Sequence, residues 1–172
     1  MGAGKTSIGR KLARRLDLPF ADTDAAVVRE HGPIDALFRD RGEPEFRRLE
    51  RAAVQQALAS GGVVALGGGA VLDPATRDDL TNCTIVLLTV AETAVADRLA
   101  GSRRPLLTGP LVTDGPPTDR LASWRRIAAE RAPVYAALAD LTVDTSHRPV
   151  SGIVEELAAA LQARGAVPAA IR

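Results

Sequence analysis

Apolar residues first recur at helical spacing in Ile8, Leu12, Ala13 and Leu16, which predicts a helix over residues 6–16, ended by Asp17-Leu18-Pro19. A short apolar stretch, Pro19-Phe20-Ala21, leads into Asp22-Thr23-Asp24, and residues 25–31 are again helical in pattern. Pro33 and Gly42 bracket a short helix carrying Ile34, Leu37 and Phe38. Pro44 suits the first position of a longer helix, whose face runs through Phe46, Leu49, Ala53, Val54, Ala57 and Leu58 to about Ser60, where Gly61-Gly62 stops it.

The pattern then changes. Val63-Val64-Ala65-Leu66 is apolar throughout and ends in Gly67-Gly68-Gly69, as a buried parallel strand opening into a loop would. A short helix from Pro74, a strand over 84–88, a helix over 92–99, a strand over 141–143 and an amphipathic helix over 150–164 continue the alternation. Strands alternating with helices predict an α/β fold of three layers, α/β/α, around a parallel sheet, with ligands at the C-terminal strand ends.

Residues 101–119 fit no element, because Pro105, Pro110, Pro116, Pro117, Gly109 and Gly115 interrupt any period. A loop of that length in a compact domain is read here as a lid, since it opens with Ser102-Arg103-Arg104-Pro105. Asp119 or Ser123 is then expected to cap a helix running towards Arg131, with Pro133 interrupting it, and residues 165–172 form a loose tail. The whole of 1–172 is one domain without internal repeats.

Composition narrows the function classes. The chain is 46% hydrophobic and 25% charged, as globular domains are, but only 3% aromatic, so alanine, leucine and valine must fill the interior. A net charge of +1 from 22 basic and 21 acidic residues offers no field for a nucleic-acid backbone, so basic residues are expected to act singly. Without an eighteen-residue apolar run or a charged-then-apolar leader, the expectation is a cytoplasmic monomer that binds neither membrane nor nucleic acid. Cys83 precedes the run Ile85-Val86-Leu87-Leu88 and reads as a buried inert thiol, and His31 and His147 have no partners at metal-ligand spacing.

The chemistry begins at Gly2-Ala3-Gly4-Lys5-Thr6-Ser7. Gly4-Lys5-Thr6 is the closing half of the phosphate-binding loop G-x-x-x-x-G-K-[ST], in which glycines let backbone N–H groups nest around a triphosphate. Lys5 would reach the outer phosphates and Thr6 would offer its hydroxyl to Mg²⁺. The motif's first glycine and the apolar strand before it are expected upstream of Met1. Without that strand normal folding is not expected, and the expectation is that translation starts earlier, adding about ten residues rich in Val, Ile and Leu.

Three further constellations follow. Asp22-x-Asp24 at a strand end can supply one carboxylate for Mg²⁺ and another for an acceptor hydroxyl, while Asp24 alone also suits the N-cap of the helix at Ala25. Glu43, Phe46, Arg47 and Glu50 share a helical face; Glu43 and Arg47 make an ordinary i,i+4 pair, but Glu50 can also steer Arg47 as a carboxylate grip at a pocket edge. Gly67-Gly68-Gly69 is either a flexible turn or a place where a ligand meets backbone N–H groups. Arg103-Arg104-Pro105 and Arg131-Ala132-Pro133 are surface arginines when read singly.

Together these pieces resemble the shikimate kinases, through Gly2-Ala3-Gly4-Lys5-Thr6, Asp22-Thr23-Asp24, Glu45-Phe46-Arg47-Arg48-Leu49-Glu50, Leu66-Gly67-Gly68-Gly69-Ala70, Arg104-Pro105-Leu106-Leu107 and Glu130-Arg131-Ala132-Pro133-Val134-Tyr135. The resemblance covers almost the whole chain. It implies a P-loop fold like that of the nucleoside monophosphate kinases, with its first, central strand missing from the chain, a shikimate-binding region over about 22–60 and a lid over about 101–119. It also implies ATP and Mg²⁺ as cofactors and transfer of the γ-phosphate to the 3-hydroxyl of shikimate. By resemblance, Lys5, Asp24 and Arg104 are catalytic. Gly2, Ala3, Gly4, Lys5, Thr6, Ser7, Arg98, Arg104 and Arg148 bind nucleotide, with Thr6 and Asp22 at the metal. Asp24, Phe38, Phe46, Arg47, Gly67, Gly68, Gly69 and Arg131 bind shikimate. Two rival readings remain: a kinase for another small hydroxy acid such as gluconate, and a non-catalytic module that binds shikimate and nucleotide.

Overall fold

A computed structural model describes residues 2–101 and 117–166, without the side chains of 98–101 and 117–119. Residues 102–116 of the expected lid, Arg104 among them, and the end of the expected tail lie outside the described residues, while Gly101 and 117–119, expected in the lid, are helical. The first helix, α1 (Lys5–Leu16), buries Ile8, Leu12 and Ala13, the residues its periodicity singled out. Asp17 ends it in the left-handed region at φ 54°, and its N–H bonds back to the Ala13 and Arg14 carbonyls.

Strand β1 (Phe20–Asp22) runs directly into α2 (Thr23–His31). Helix α3 (Ile34–Ser60) holds both helices expected here, joined across a kink where Gly42 takes φ 78° and ψ 167°. That backbone is open to glycine and closed to most other residues, so the pattern break at Gly42 is a bend within one long element. Next come β2 (Val63–Ala65), a 3-10 turn at Ala70–Leu72 that the pattern did not show, α4 (Pro74–Asp79), β3 (Val86–Thr89) and α5 (Glu92–Gly101).

Helix α6 (Pro117–Leu138) corrects two expectations. It starts at Pro117 rather than behind a cap at Asp119 or Ser123, and it continues past Pro133. Proline suits a first helical position, and inside the helix exposed Pro133 removes one backbone donor without ending the element, since other positions of α6 are held on either side of it, by buried Trp124, Ile127 and Arg131 before it and by the Tyr135 bond to Gly68 after it. Strand β4 (Leu141–Asp144) and α7 (Val150–Ala163) complete the described chain.

The strands are parallel, as the alternation predicts, but fall into two pairs. Phe20, Ala21 and Asp22 register with Val63, Val64 and Ala65, and Val86 to Thr89 with Leu141 to Asp144. Among the described residues the two pairs form separate two-stranded sheets. One core nevertheless spans them: Ile8 and Leu12 of α1 and Ile153, Val154, Leu157 and Leu161 of α7 pack on Val63 of β2, Val86 and Leu88 of β3, and Val143 of β4. A second cluster, Val27, Leu37, Phe46 and Leu49, locks α2 to α3, and Val95 with Trp124 locks α5 to α6. Burying a side chain such as Leu157 contributes about 1.5–3 kcal/mol, so α1 and α7 hold the two strand pairs in one body. The ends of β1 and β2 then meet the start of α1, and the site forms there.

Candidate active site

Gly4 turns the chain into α1 with φ 85°, and the helix begins with no side-chain cap and no acidic residue in its first turn. Its first N–H groups therefore stay open, with the positive end of the helix behind them, which is the geometry that holds phosphate. The loop is itself held from the side: Thr145 Oγ1, at the end of β4, bonds the Ala3 carbonyl at 3.0 Å and the Thr89 carbonyl at 2.9 Å.

The two aspartates divide their work. The Asp22 Oδ1 oxygen accepts from the Ala25 amide at 3.0 Å, so Asp22, and not Asp24, is the N-cap of α2. The helix starts two residues earlier than its apolar pattern shows because Asp22 keeps strand-like backbone at φ −125° and ψ 115°, and Thr23 already turns. The other oxygen, Oδ2, accepts the Thr6 hydroxyl at 2.6 Å. Asp24 is thereby released. Its carboxylate accepts no hydrogen bond among the described residues. Burial raises its pKa, with Asp22 adding to the rise and Lys5 and Arg47 opposing it.

Beyond Asp24 lies a cationic end. Arg47 Nη1 donates to Glu50 Oε2 at 2.7 Å, and Nη2 donates to Glu43 Oε1 at 3.0 Å, so Arg47 makes both the i,i+4 pair and the contact with Glu50. Burial works against the Arg47 charge, but the Glu50 and Glu43 contacts outweigh it and hold its pKa above the ordinary arginine value. Glu50 is 4% exposed; burial raises its pKa against the pull of Arg47, and Arg131 also acts on it. Arg131 is 8% exposed and pairs with no carboxylate among the described residues. A buried guanidinium in that position is a ready receptor for an acid.

The glycines explain how these groups come so close. A Cβ on Gly67 would stand 2.4 Å from Asp24 Oδ1 and 2.7 Å from Glu50 Oε1, and one on Gly69 would stand 2.3 Å from Arg47 Nη1. Thr23, 1% exposed, accepts the Gly67 N–H at 2.8 Å and turns the loop over the aspartate. The N–H groups of Gly68 and Gly69 have no acceptor among the described residues.

An uncapped helix start, a carboxylate that accepts no hydrogen bond among the described residues and two arginines thus come together. The sequence model of the family described as shikimate kinase matches residues 1–162. The chain belongs to the shikimate kinase family. It is 41% identical over 172 residues to the shikimate kinase of Mycobacterium avium, covering 98% of this chain and 93% of that one. It is 44% identical over 167 residues to that of Thermobifida fusca, covering 95% and 92%. Among solved structures, the Acinetobacter baumannii shikimate kinase in complex with shikimate superposes with a TM-score of 0.80 at 27% identity, covering 95% of this chain and 89% of that one. The Bacteroides thetaiotaomicron shikimate kinase superposes with a TM-score of 0.80, also at 27% identity, over 94% of each chain. The chain is accordingly an ATP-dependent phosphotransferase acting on an alcohol, the shikimate 3-hydroxyl.

The remaining residues that the family resemblance implied are placed less centrally. Phe46 is 5% exposed and belongs to the α2–α3 core; its ring stacks on half-buried Phe38 at 4.5 Å, and the Arg47 guanidinium lies 5.3 Å from its centre. Phe46 thus supports Arg47 from below as well as filling the core. Arg148 pairs with Glu156 of α7. Arg98 lies on α5 with its side chain outside the described positions, as is all of Arg104. Cys83 is free and half-buried rather than buried. Among the described residues no group of three metal-ligating side chains forms, and no helix is long and apolar enough to cross a membrane. Thr23 and Tyr135 lie inside the quoted motifs without a role assigned to them, and Thr145 was not singled out by the sequence.

Proposed function

We propose that the chain transfers the γ-phosphate of ATP to shikimate with Asp24 at the centre of the site, between a phosphate end and a carboxylate end. The observation that supports this reading is that both Lys5 and Arg47 act on the half-buried Asp24 carboxylate, which accepts no hydrogen bond among the described residues. A half-buried carboxylate kept above its ordinary pKa is a better base for a hydroxyl proton than an exposed one.

Lys5 and the open amides at the start of α1 hold the phosphates of ATP. Arg47, Arg131 and the amides of Gly68 and Gly69 hold the shikimate carboxylate and orient its ring, with Glu50 fixing the Arg47 guanidinium. The 3-hydroxyl then faces Asp24, which accepts its proton as the hydroxyl oxygen bonds to the γ-phosphorus and the bond to ADP breaks. Arg104, on the expected lid, would neutralise charge on the moving phosphoryl group, and Arg98 and Arg148 would flank the adenine.

Thr6 and Asp22 fit Mg²⁺: their side-chain oxygens approach to 2.6 Å, and hydroxyl and carboxylate are the hard donors this ion prefers. When bound, Mg²⁺ neutralises charge on the phosphate oxygens. The balanced charge of the chain supports a cytoplasmic enzyme that binds no nucleic acid, and a monomer is the expected state. A coupled ADP-release assay with shikimate and gluconate as acceptors, alongside ATP titration, tests the reading. Turnover with shikimate is expected; ATP and shikimate binding without ADP release would point instead to a non-catalytic module.

A further inference from the structure

We infer that Tyr135 is a positioning residue for substrate binding, acting through the Gly68–Gly69 peptide. The inference rests on the reading that the glycine loop binds shikimate. Its basis is a complete account of the loop's backbone. The Gly67 carbonyl accepts from Ala70 N at 3.1 Å, the Gly69 carbonyl from Leu72 N at 3.0 Å, and the Gly67 N–H donates to Thr23 Oγ1 at 2.8 Å. The Gly68 carbonyl is taken by neither the turn nor a strand. It accepts the Tyr135 hydroxyl of α6, 67 residues away in sequence, at 2.5 Å.

That bond decides where a donor points. The Gly68 carbonyl and the Gly69 N–H belong to one peptide unit, and in a planar trans peptide they point in opposite directions. By drawing the carbonyl towards α6, Tyr135 turns the Gly69 N–H away from α6. Gly69 itself lies against Arg47, since a Cβ there would meet Nη1 at 2.3 Å. The peptide whose orientation Tyr135 fixes therefore ends at the residue packed against the Arg47 guanidinium.

Without the hydroxyl little would hold this orientation. A peptide between two glycines rotates with small steric penalty, and a flipped unit would aim the Gly68 carbonyl at an anion instead of the Gly69 N–H. Tyr135 follows Arg131 by four residues, so both fall on one face of α6. The continuation of α6 past Pro133 is what keeps them there.

The experiment is Tyr135→Phe, which keeps the ring and removes the hydroxyl. We expect the KM for shikimate to rise about tenfold, with kcat and the KM for MgATP within about twofold of wild type and the melting temperature little changed. Glycine-¹⁵N spectra give the second readout: shikimate should shift the Gly68 and Gly69 amides of wild type, and the Gly69 response should shrink in Y135F. An unchanged shikimate KM in Y135F with an unchanged Gly69 response overturns the role of Tyr135 alone. A rise in both KM values with a lower melting temperature makes the residue merely structural and also overturns it. If shikimate leaves both wild-type amides unmoved, the reading of the glycine loop fails, and this inference fails with it.

Discussion

Asp22 joins two helices through its two oxygens, capping α2 at the Ala25 amide and accepting the Thr6 hydroxyl of α1 at 2.6 Å. The cap needs only an oxygen, whereas a place at the metal needs charge. Asp22→Asn is therefore expected to keep the cap, since asparagine caps as well as aspartate, and to raise the Mg²⁺ concentration for half-maximal rate by about 10–100-fold. Asp22→Ala should show the same Mg²⁺ effect and also lose about 1 kcal/mol of stability. Mg²⁺ titrations of the initial rate, paired with thermal melts, separate the two; an unchanged Mg²⁺ requirement in both variants removes Asp22 from the metal.

Asp24 is expected to trade stability for activity. Burial raises its pKa, so the folded protein bears a penalty for the ionised form. Asp24→Asn should lower kcat by about 10²- to 10⁴-fold and raise the melting temperature by roughly 2–4 °C.

The sign of the pH dependence follows from the same shift. The folded pKa lies above the unfolded one, so the penalty is fully present above the folded pKa and gone below the unfolded pKa. The melting-temperature advantage of D24N should thus shrink as pH falls through that window, while the wild-type rate falls with it. An advantage that grows towards low pH contradicts the assignment.

Arg131 lies buried beside Glu50 without a carboxylate of its own among the described residues. Arg131→Lys keeps the charge and loses the planar fork, so kcat/KM for shikimate should fall about 10- to 100-fold with the KM for ATP unchanged. Steady-state kinetics with each substrate varied in turn checks this, and an equal effect on both substrates would place Arg131 elsewhere.

Gly69→Ala would put a methyl group where Arg47 Nη1 now lies, 2.3 Å from the new carbon. Gly69 has φ −95°, which alanine accepts, and a guanidinium can swing aside. Displacing Arg47 leaves buried Glu50 without this partner, so stability should fall by about 1–3 kcal/mol while the shikimate KM rises tenfold or more. A normal KM means that Arg47 does not need this position.

Much of the site was legible because its signals are local. The apolar spacing of Ile8, Leu12 and Ala13 behind Gly4-Lys5-Thr6 predicted the helix, and the break at Gly42, expected as the end of a helix, is a bend within α3. Glu50 stands on the apolar face of α3 between Phe46 and Val54, and a carboxylate there is buried only when a partner such as Arg47 meets it. The assignment of the cap to Asp24 failed because the start of α2 is set by strand backbone at Asp22, which periodicity does not report. The interruption at Pro133 failed because tertiary contacts on both sides outweigh one lost hydrogen bond. Thr23 to Gly67 and Tyr135 to Gly68 were invisible for a third reason: hydroxyl-to-backbone bonds across 44 and 67 residues leave no pattern along the chain.

The most direct test of the account is to identify the product of the reaction by ³¹P and ¹H NMR after incubating the chain with MgATP and shikimate, with gluconate as a parallel acceptor. The account predicts ADP and a phosphate ester on the shikimate 3-hydroxyl, with little gluconate phosphorylated, and the loss of that ester in D24N. Phosphorylation of gluconate in preference to shikimate, or ATP consumed with only inorganic phosphate released, would contradict it.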